Sequence, residues 1–262
     1  MIYKNLNNIA ITGGSGTLGM LFPKQCKRLK TRLEESTFKF LNELRNITPK
    51  IKTVVHLAGM SNVKKCEENK QMTNKINILG SMNLLKACSI YGIENFIFIS
   101  SSHVYKIPKN KSIYINTNYK KEPQDYYGQS KLRVEKNLLK NNKINNITIA
   151  RVFSVLSKKG DISLLKNLIT KAENFDYSEI KGFANIRDFL SADIIIKKIL
   201  KILYLTNKPK IINICSERPT RIIDLAVKIF KNKNCDVNLL LKNNDICEKE
   251  YNSVVGKRFI TI

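Results

Sequence analysis

Acidic residues are scarce in this chain of 262 residues: 21 Asp and Glu stand against 46 Lys and Arg, a net charge of +25. No apolar run approaches the roughly 18 residues that a membrane-spanning helix needs, so no membrane span is expected. The start, Met1-Ile2-Tyr3-Lys4-Asn5, has no signal-peptide pattern and leads into a strand, which points to a cytoplasmic protein. None of the six cysteines (Cys26, Cys66, Cys88, Cys215, Cys235, Cys247) belongs to a C-x-x-C pair. That spacing speaks against a zinc site or a disulfide framework and fits a reducing compartment, so no metal is expected. An arginine-rich arm and a basic stripe interleaved with aromatics are both missing. The lysines are spread along the whole chain among Asn and Ile, which reads as solvated faces and not as a nucleic-acid site.

What is present is a globular composition, 43% hydrophobic, in a chain long enough to bury a core. Asn8–Thr12, Thr53–Gly59, Asn95–Ile99 and Ile147–Val152 read as buried strands. Between them, Glu34–Ile47 has apolar residues at Phe38, Leu41, Leu44 and Ile47, a helical spacing, and Thr73–Ala87 and the run opened by Asp125 are also helical. Only a very short strand fits within Lys24–Arg32, because Pro23 stops a first helix after little more than a turn. This alternation predicts an α/β fold, a Rossmann-like doubly wound parallel sheet covered on both faces. Beyond residue 155 the order changes to helix (Asp161–Glu173), helix (Ser191–Leu205), strand (Ile211–Ile214) and helix (Thr220–Phe230). The Ser191 helix sets Ile194, Ile195, Ile199, Leu200, Ile202 and Leu203 around Lys197, Lys198 and Lys201. Such a helix can lie on a membrane, although packing on a sheet is the commoner use. His56, inside its strand, is expected to be a packed core residue.

The chemistry-bearing residues follow the strands. After the first comes Gly13-Gly14-Ser15-Gly16-Thr17-Leu18-Gly19, in which Gly14, Gly16 and Gly19 fit G-x-G-x-x-G and Gly13, Gly16 and Gly19 fit T-G-x-x-G-x-x-G. Glycines there let the backbone approach a ligand, and N–H groups at the next helix start can hold a pyrophosphate. A dinucleotide site normally has an acidic residue about 20 positions further on for the adenosine ribose. Cations of Lys24–Arg32 occupy that place, either for a ribose 2′-phosphate, hence NADP, or as a solvated loop. The fourth strand runs into Ser100-Ser101-Ser102, followed by a polar loop from His103 to Gln124 whose length and position suit an active site. Tyr127 and Lys131 stand at i and i+4 on one helix face. An ammonium beside a phenol lowers its pKa from about 10 and so allows proton transfer near neutrality. Alone, the pair is equally a helix surface.

Taken in order, these residues resemble the extended short-chain dehydrogenase/reductase family, NAD-dependent epimerase/dehydratase type, over about residues 8–230. The resemblance rests on Thr12, Gly13, Gly16 and Gly19; on His56-Leu57-Ala58-Gly59; on Asn77, Gly80 and Asn83-Leu84-Leu85; and on Val104-Tyr105. It continues through Tyr127-Gly128-Gln129-Ser130-Lys131 with Glu135, Arg187-Asp188-Phe189 with Asp193, Ile212-Asn213-Ile214 and Ile222-Ile223-Asp224-Leu225. It implies an NAD(P)-binding domain over 1–155, completed by elements of 156–218, and a smaller, shortened substrate-binding α/β region over 156–262. It also implies that NAD or NADP is held by Gly13, Gly16, Thr17, Leu18, Gly19, Leu57, Ala58, Gly59 and Lys131.

The implied catalytic set is Ser101, Tyr127 and Lys131. Ser101 would bond the reacting sugar oxygen, Tyr127 would pass its proton, and Lys131 would hold the nicotinamide ribose and depress the Tyr127 pKa. The implied substrate is a nucleotide-diphosphate sugar met by Ser102, Ser154 and Arg187, and the implied assembly is a homodimer through the helices of Asn77 and Tyr127. Family 4,6-dehydratases carry Asp-Glu after the catalytic Thr, where this chain has Ser102 and His103. Dehydration is therefore not expected, leaving epimerisation or reduction of a 4-keto sugar. Three departures stand out: a short segment between Gly19 and Val54, Val152 and Ser154 in place of the usual Pro and Asn, and an early stop. They motivate a second reading, a catalytically silent relative that binds dinucleotide, RNA or protein.

Overall fold

A computed structural model describes residues 5–108, 113–157, 164–244 and 253–257. The strands Ile9–Thr12 (β1), Lys27–Arg28 (β2), Thr53–His56 (β3) and Asn95–Ser101 (β4) belong to one sheet. After Tyr114–Ile115 (β5), the strand Asn146–Val152 (β6) rejoins that sheet; Ser154–Leu156 (β7) and Ile186–Ser191 (β8) do not, and Ile211–Ile214 (β9) closes it. The order is β2-β1-β3-β4-β6-β9 and every pairing is parallel. Because β2 lies to one side of β1 and β3 to the other, a crevice opens at the carboxyl ends of β1 and β3, where such folds bind ligands. β1 and β3 are buried along their whole length, as expected of parallel strands covered on both faces.

One face carries Thr37–Arg45 (α1) and a long helical run made of Val63–Glu68 (α2), Lys70–Thr73 (α3), a π-helical turn at Asn74–Gly80, and Ser81–Tyr91 (α4). Tyr126–Leu139 (α5) completes that face. Its core joins Phe40, Leu44, Leu84, Phe96, Val134 and Leu138. After Leu164–Glu173 (α6), the helix Ala192–Leu203 (α7) covers the other face with Ile195, Ile199 and Leu200 against Ile97, Ile99 and Ile212. The Ser191 helix therefore packs on the sheet, with Ser191 as its N-cap accepting from Ile194 N. Among the described residues no helix is long and apolar enough to cross a membrane.

The structure departs from the sequence expectations in several places. The crossover after β1 is a 3₁₀ turn of three residues, Gly19–Leu21, and not an α-helix. In α1 the periodicity places Phe38 in the core, yet it is 65% exposed while Phe40 is fully buried. The expected Thr73–Ala87 helix is longer and contains the π turn, a feature that recurs at functional sites. Residues 161–163, the expected start of α6, lie outside the described residues, as does Cys247. A second sheet was not legible at all. Pro219–Arg221 (β10), β8, Ser253–Gly256 (β11) and β5 run side by side, with β7 paired to β8, and Arg187-Asp188-Phe189 lies within β8. Ile222–Asn232 (α8) and Val237–Asn243 (α9) surround a separate core of Leu168, Phe183, Ile223, Phe230 and Leu240.

Candidate active site

A cleft of about 840 Å³ lies along the carboxyl ends of β1, β3, β4 and β6 and is walled by β7 and β8. It collects every residue that the resemblance assigned to the cofactor, the catalytic set and the substrate. Gly13, Gly16, Thr17, Leu18 and Gly19 come from the turn after β1, and Leu57, Ala58 and Gly59 from the end of β3. Ser101 and Ser102 come from the end of β4, Tyr127 and Lys131 from α5, Ser154 from β7 and Arg187 from β8.

The glycine turn is built by close backbone approach. Gly13 has φ +68°, and a Cβ there would lie 2.8 Å from the Ala58 nitrogen. A Cβ on Gly19 would run into the Gly13 carbonyl. Behind the turn, Thr12 Oγ1 accepts from Ala58 N (3.0 Å) and meets His56 Nδ1 (2.7 Å). His56 Nε2 meets Ser81 Oγ (2.8 Å), whose proton goes to Asn77 O (2.6 Å). The ring therefore donates from Nε2 and accepts at Nδ1 from the Thr12 hydroxyl. Burial, helped by the charge of Lys131, pushes its pKa down to about 3, so His56 is the neutral core residue that was expected.

The glycine turn leads into a 3₁₀ turn and opens no α-helix, which leaves the turn's own backbone to meet a pyrophosphate. Of the cations between 24 and 32, none lines the cleft. Arg28 has its side chain against Gly14, and its guanidinium donates to Phe22 O (3.0 Å) and Cys26 O (3.1 Å).

The opposite wall is held more tightly. Lys131 is 5% exposed, donates from Nζ to Ile99 O (2.9 Å), and sits 4.7 Å from the Phe98 ring centre and 5.9 Å from that of Tyr127. Burial lowers its pKa to about 8, against the opposing pull of Glu135. Burial also drives the Tyr127 phenol up to about 12, with the neighbouring Ser101 hydroxyl pulling down. In this arrangement Lys131 is not among the groups that pull the Tyr127 phenol down. The ammonium is turned to a carbonyl, and loss of water penalises both charged forms.

Three supporting features of the site were given no role from the sequence, although Asn77 and Glu135 stand among the residues of the resemblance. Asn77, in the π turn, accepts from Met60 N (2.7 Å) and donates to Met60 O and Ser130 Oγ (3.0 Å each), fastening the loop after β3 to α5. Glu135, one turn beyond Lys131, forms a two-pronged ion pair with Arg151 (2.6 and 3.0 Å), both side chains 1% exposed. Ser100 donates to the same carboxylate (2.6 Å), and Arg151 continues to Tyr105 Oη (2.8 Å) and Thr117 O (3.0 Å). Lastly, His103 Nδ1 meets Asp125 Oδ2 (2.6 Å) beside Tyr127. The only local signal for this pair was the N-cap character of Asp125 and a histidine in the polar loop.

On the β8 wall, Arg187 has a buried Nη1 with no hydrogen-bond partner, and burial lowers its pKa. Next to it, Asp188 accepts from Ser216 N and Oγ, Glu217 N and Gly256 N, tying β8 to the turn after β9 and to β11.

Comparison with known proteins agrees with this architecture. GDP-6-deoxy-D-mannose reductase of Pseudomonas aeruginosa is 27% identical over 188 residues, 66% of this chain and 60% of its own length. UDP-glucose 4-epimerase 2 of Oryza sativa subsp. japonica is 28% identical over 143 residues, 52% of this chain and 32% of its own. The chain thus spans only a third to three fifths of these curated relatives. Among solved structures, RMD from Pseudomonas aeruginosa complexed with NADPH superposes with a TM-score of 0.78 at 22% identity, over 95% of this chain and 89% of that one. UDP-glucose 4-epimerase of Thermus thermophilus complexed with NAD gives 0.74 at 16%, over 87% and 83%. Residues 9–215 match the model of the NAD dependent epimerase/dehydratase family, and the chain belongs to that family.

Proposed function

We propose that the chain binds NAD(P) in this cleft and catalyses hydride and proton transfer at a carbon of a nucleotide-diphosphate sugar, as an epimerase or a 4-keto-sugar reductase. The observation that carries the reading is the meeting of three things in one cleft: the glycine turn, the Ser101/Tyr127/Lys131 set and the unpartnered Arg187 Nη1. When bound, NAD(P) supplies the hydride donor or acceptor. Gly13, Gly16 and Gly19 admit the pyrophosphate to the backbone, and Leu57, Ala58 and Gly59 let the cofactor lie against the end of β3. Arg28, beside Gly14, favours NADP over NAD. Ser101 bonds the reacting sugar oxygen, Tyr127 gives or takes its proton, and Lys131 leaves Ile99 O for the nicotinamide ribose, bringing its charge to bear on Tyr127. Arg187 takes the substrate diphosphate, a charge-assisted bond that ends the isolation of its Nη1. Ser102 and Ser154 border the sugar. With Ser102 in place of an acid for the leaving hydroxyl, elimination of water is not part of this reading. The division near residue 155 and a homodimer through the helices of Asn77 and Tyr127 complete it.

The test is a binding and turnover screen with NAD, NADP and UDP-, GDP- and dTDP-sugars, repeated on Tyr127→Phe. The variant should lose at least about 100-fold in turnover, the usual contribution of a positioned proton donor, and keep its cofactor affinity. Equal turnover would show that Tyr127 does not carry the proton. If neither dinucleotide binds at millimolar concentration while RNA binds with strong salt dependence, the silent-module reading takes over.

A further inference from the structure

A second groove, of about 550 Å³, shares no residue with the cleft and has no part in the mechanism above. Arg133, Lys136, Asn137 and Lys140 line one side of it. They stand at i, i+3, i+4 and i+7, so one face of α5 and its C-cap carries all four. Asn74, Ile78 and Leu79 of the π turn line the other side. Ile78 is half-buried and Leu79 is 59% exposed, so the π turn that serves the cleft through Asn77 leaves a large apolar residue in solvent here. The charge is of one sign. No carboxylate lines the groove, and Glu135, the one acid within α5, is buried in its pair with Arg151. Among the described residues no acid pairs with Arg133, Lys136 or Lys140. The helix dipole accounts for a cation in the last turn of α5. It does not account for Arg133, nor for the apolar wall beside it.

We propose that this groove is a second nucleotide site, binding a nucleoside di- or triphosphate apart from the cleft. The phosphates lie at Arg133, Lys136 and Lys140, the guanidinium gripping two oxygens and the ammonium groups acting as point charges. The base covers Ile78 and Leu79 and takes their apolar surface out of water. Two carboxamides border it. Asn137 Nδ2 donates to Arg133 O (2.9 Å) and Asn74 Oδ1 accepts from Tyr126 Oη (2.9 Å), which leaves Asn137 Oδ1 to accept and Asn74 Nδ2 to donate at polar edges of the ligand. The volume falls within the roughly 300–1,000 Å³ typical of small-molecule sites. The helices of Asn77 and Tyr127 are also those proposed for a homodimer. A two-fold contact centred on the groove would set three cations against their own copies, a costly juxtaposition. A small polyanion with an apolar body is the better-matched occupant.

The experiment titrates ATP, GTP, UTP and inorganic tripolyphosphate into the whole protein by calorimetry, with and without millimolar NADPH. At least one nucleotide should bind equally well in the presence of NADPH, more weakly as salt is raised, and about tenfold more tightly than tripolyphosphate. Lys136→Ala combined with Lys140→Ala should weaken that binding at least about tenfold. Both lysines are exposed, so the double variant should melt without nucleotide as wild type does. Leu79→Ser should weaken the nucleotide and leave tripolyphosphate unchanged. Binding that NADPH abolishes, or that the double variant leaves unaltered, would overturn the proposal, and the double variant decides whether or not the cleft takes NADPH. Tripolyphosphate binding as tightly as every nucleotide would overturn it too, marking a basic surface only. So would a dimer, followed by sedimentation, that persists at all nucleotide concentrations and dissociates in Leu79→Ser, since the groove would then belong to a second copy.

Discussion

The two walls of the cleft are built on different terms. On the α5 side, β4 and β6 pair over seven residues, from Asn95↔Asn146 to Ser101↔Val152, and a buried ion pair, Asn77 and Asp125 fasten the helix to its surroundings. On the glycine side, β1 meets β2 over only two residue pairs, and a 3₁₀ turn replaces the first helix. The groups proposed to do chemistry thus stand on the rigid wall. The wall proposed to meet the adenosine end of the cofactor is the slighter one. Chemistry needs placement to a fraction of an ångström, whereas a long dinucleotide can be held by many weak contacts.

That contrast can be strained from the rigid side first. Glu135→Ala leaves Arg151 buried without its carboxylate, and should cost about 3–5 kcal/mol of stability, read by denaturant unfolding. A loss below about 1 kcal/mol would mean that the ion pair does not hold the wall. Lys131→Met is next. The folded pKa of Lys131, about 8, lies below its unfolded value near 10.4, so between these pH values the unfolded chain binds more protons and wild-type stability rises with pH. Charging this buried ammonium at pH 7 costs about 3 kcal/mol on that shift, less the bond to Ile99 O that the variant gives up. Lys131→Met should therefore be inactive yet about 1–2 kcal/mol more stable at pH 7, the gain fading toward pH 10. An unchanged gain across that range would point to packing instead of charge.

The weaker wall is expected to respond less. Arg28→Met should reduce the preference for NADPH over NADH by about tenfold, the equivalent of one modest phosphate contact of roughly 1.4 kcal/mol, with little change in melting temperature. Titration of both cofactors by fluorescence would check it. Phe38→Ser, at a position the periodicity puts in the core and the fold puts in solvent, should change stability by less than about 0.5 kcal/mol. The matching Phe40→Ala should cost about 3–5 kcal/mol, so the pair decides which face α1 buries.

Several parts of this molecule were legible because their information is local. The strand Asn8–Thr12, the glycines that follow it, the small residues after His56 and the Tyr127-to-Lys131 spacing each sit within a few positions. Steric and hydrogen-bonding rules act directly at that range, and together those motifs announced a doubly wound sheet and the cleft at its carboxyl edge. The π turn, the exposure of Phe38 and the second sheet were decided elsewhere. β8 finds partners in β10 and in β11, the latter more than sixty residues away, and two-to-six-residue strands carry too little pattern to be seen alone. The same holds for the groups that tune the site. His103 reaches Asp125 across 22 residues and Arg151 reaches Tyr105 across 46, pairings fixed only when the sheet brings their strands and loops together. Tyr127 and Lys131 could be placed on one face from spacing alone. Their protonation depends on how much water the fold removes, and that is a property of the tertiary structure.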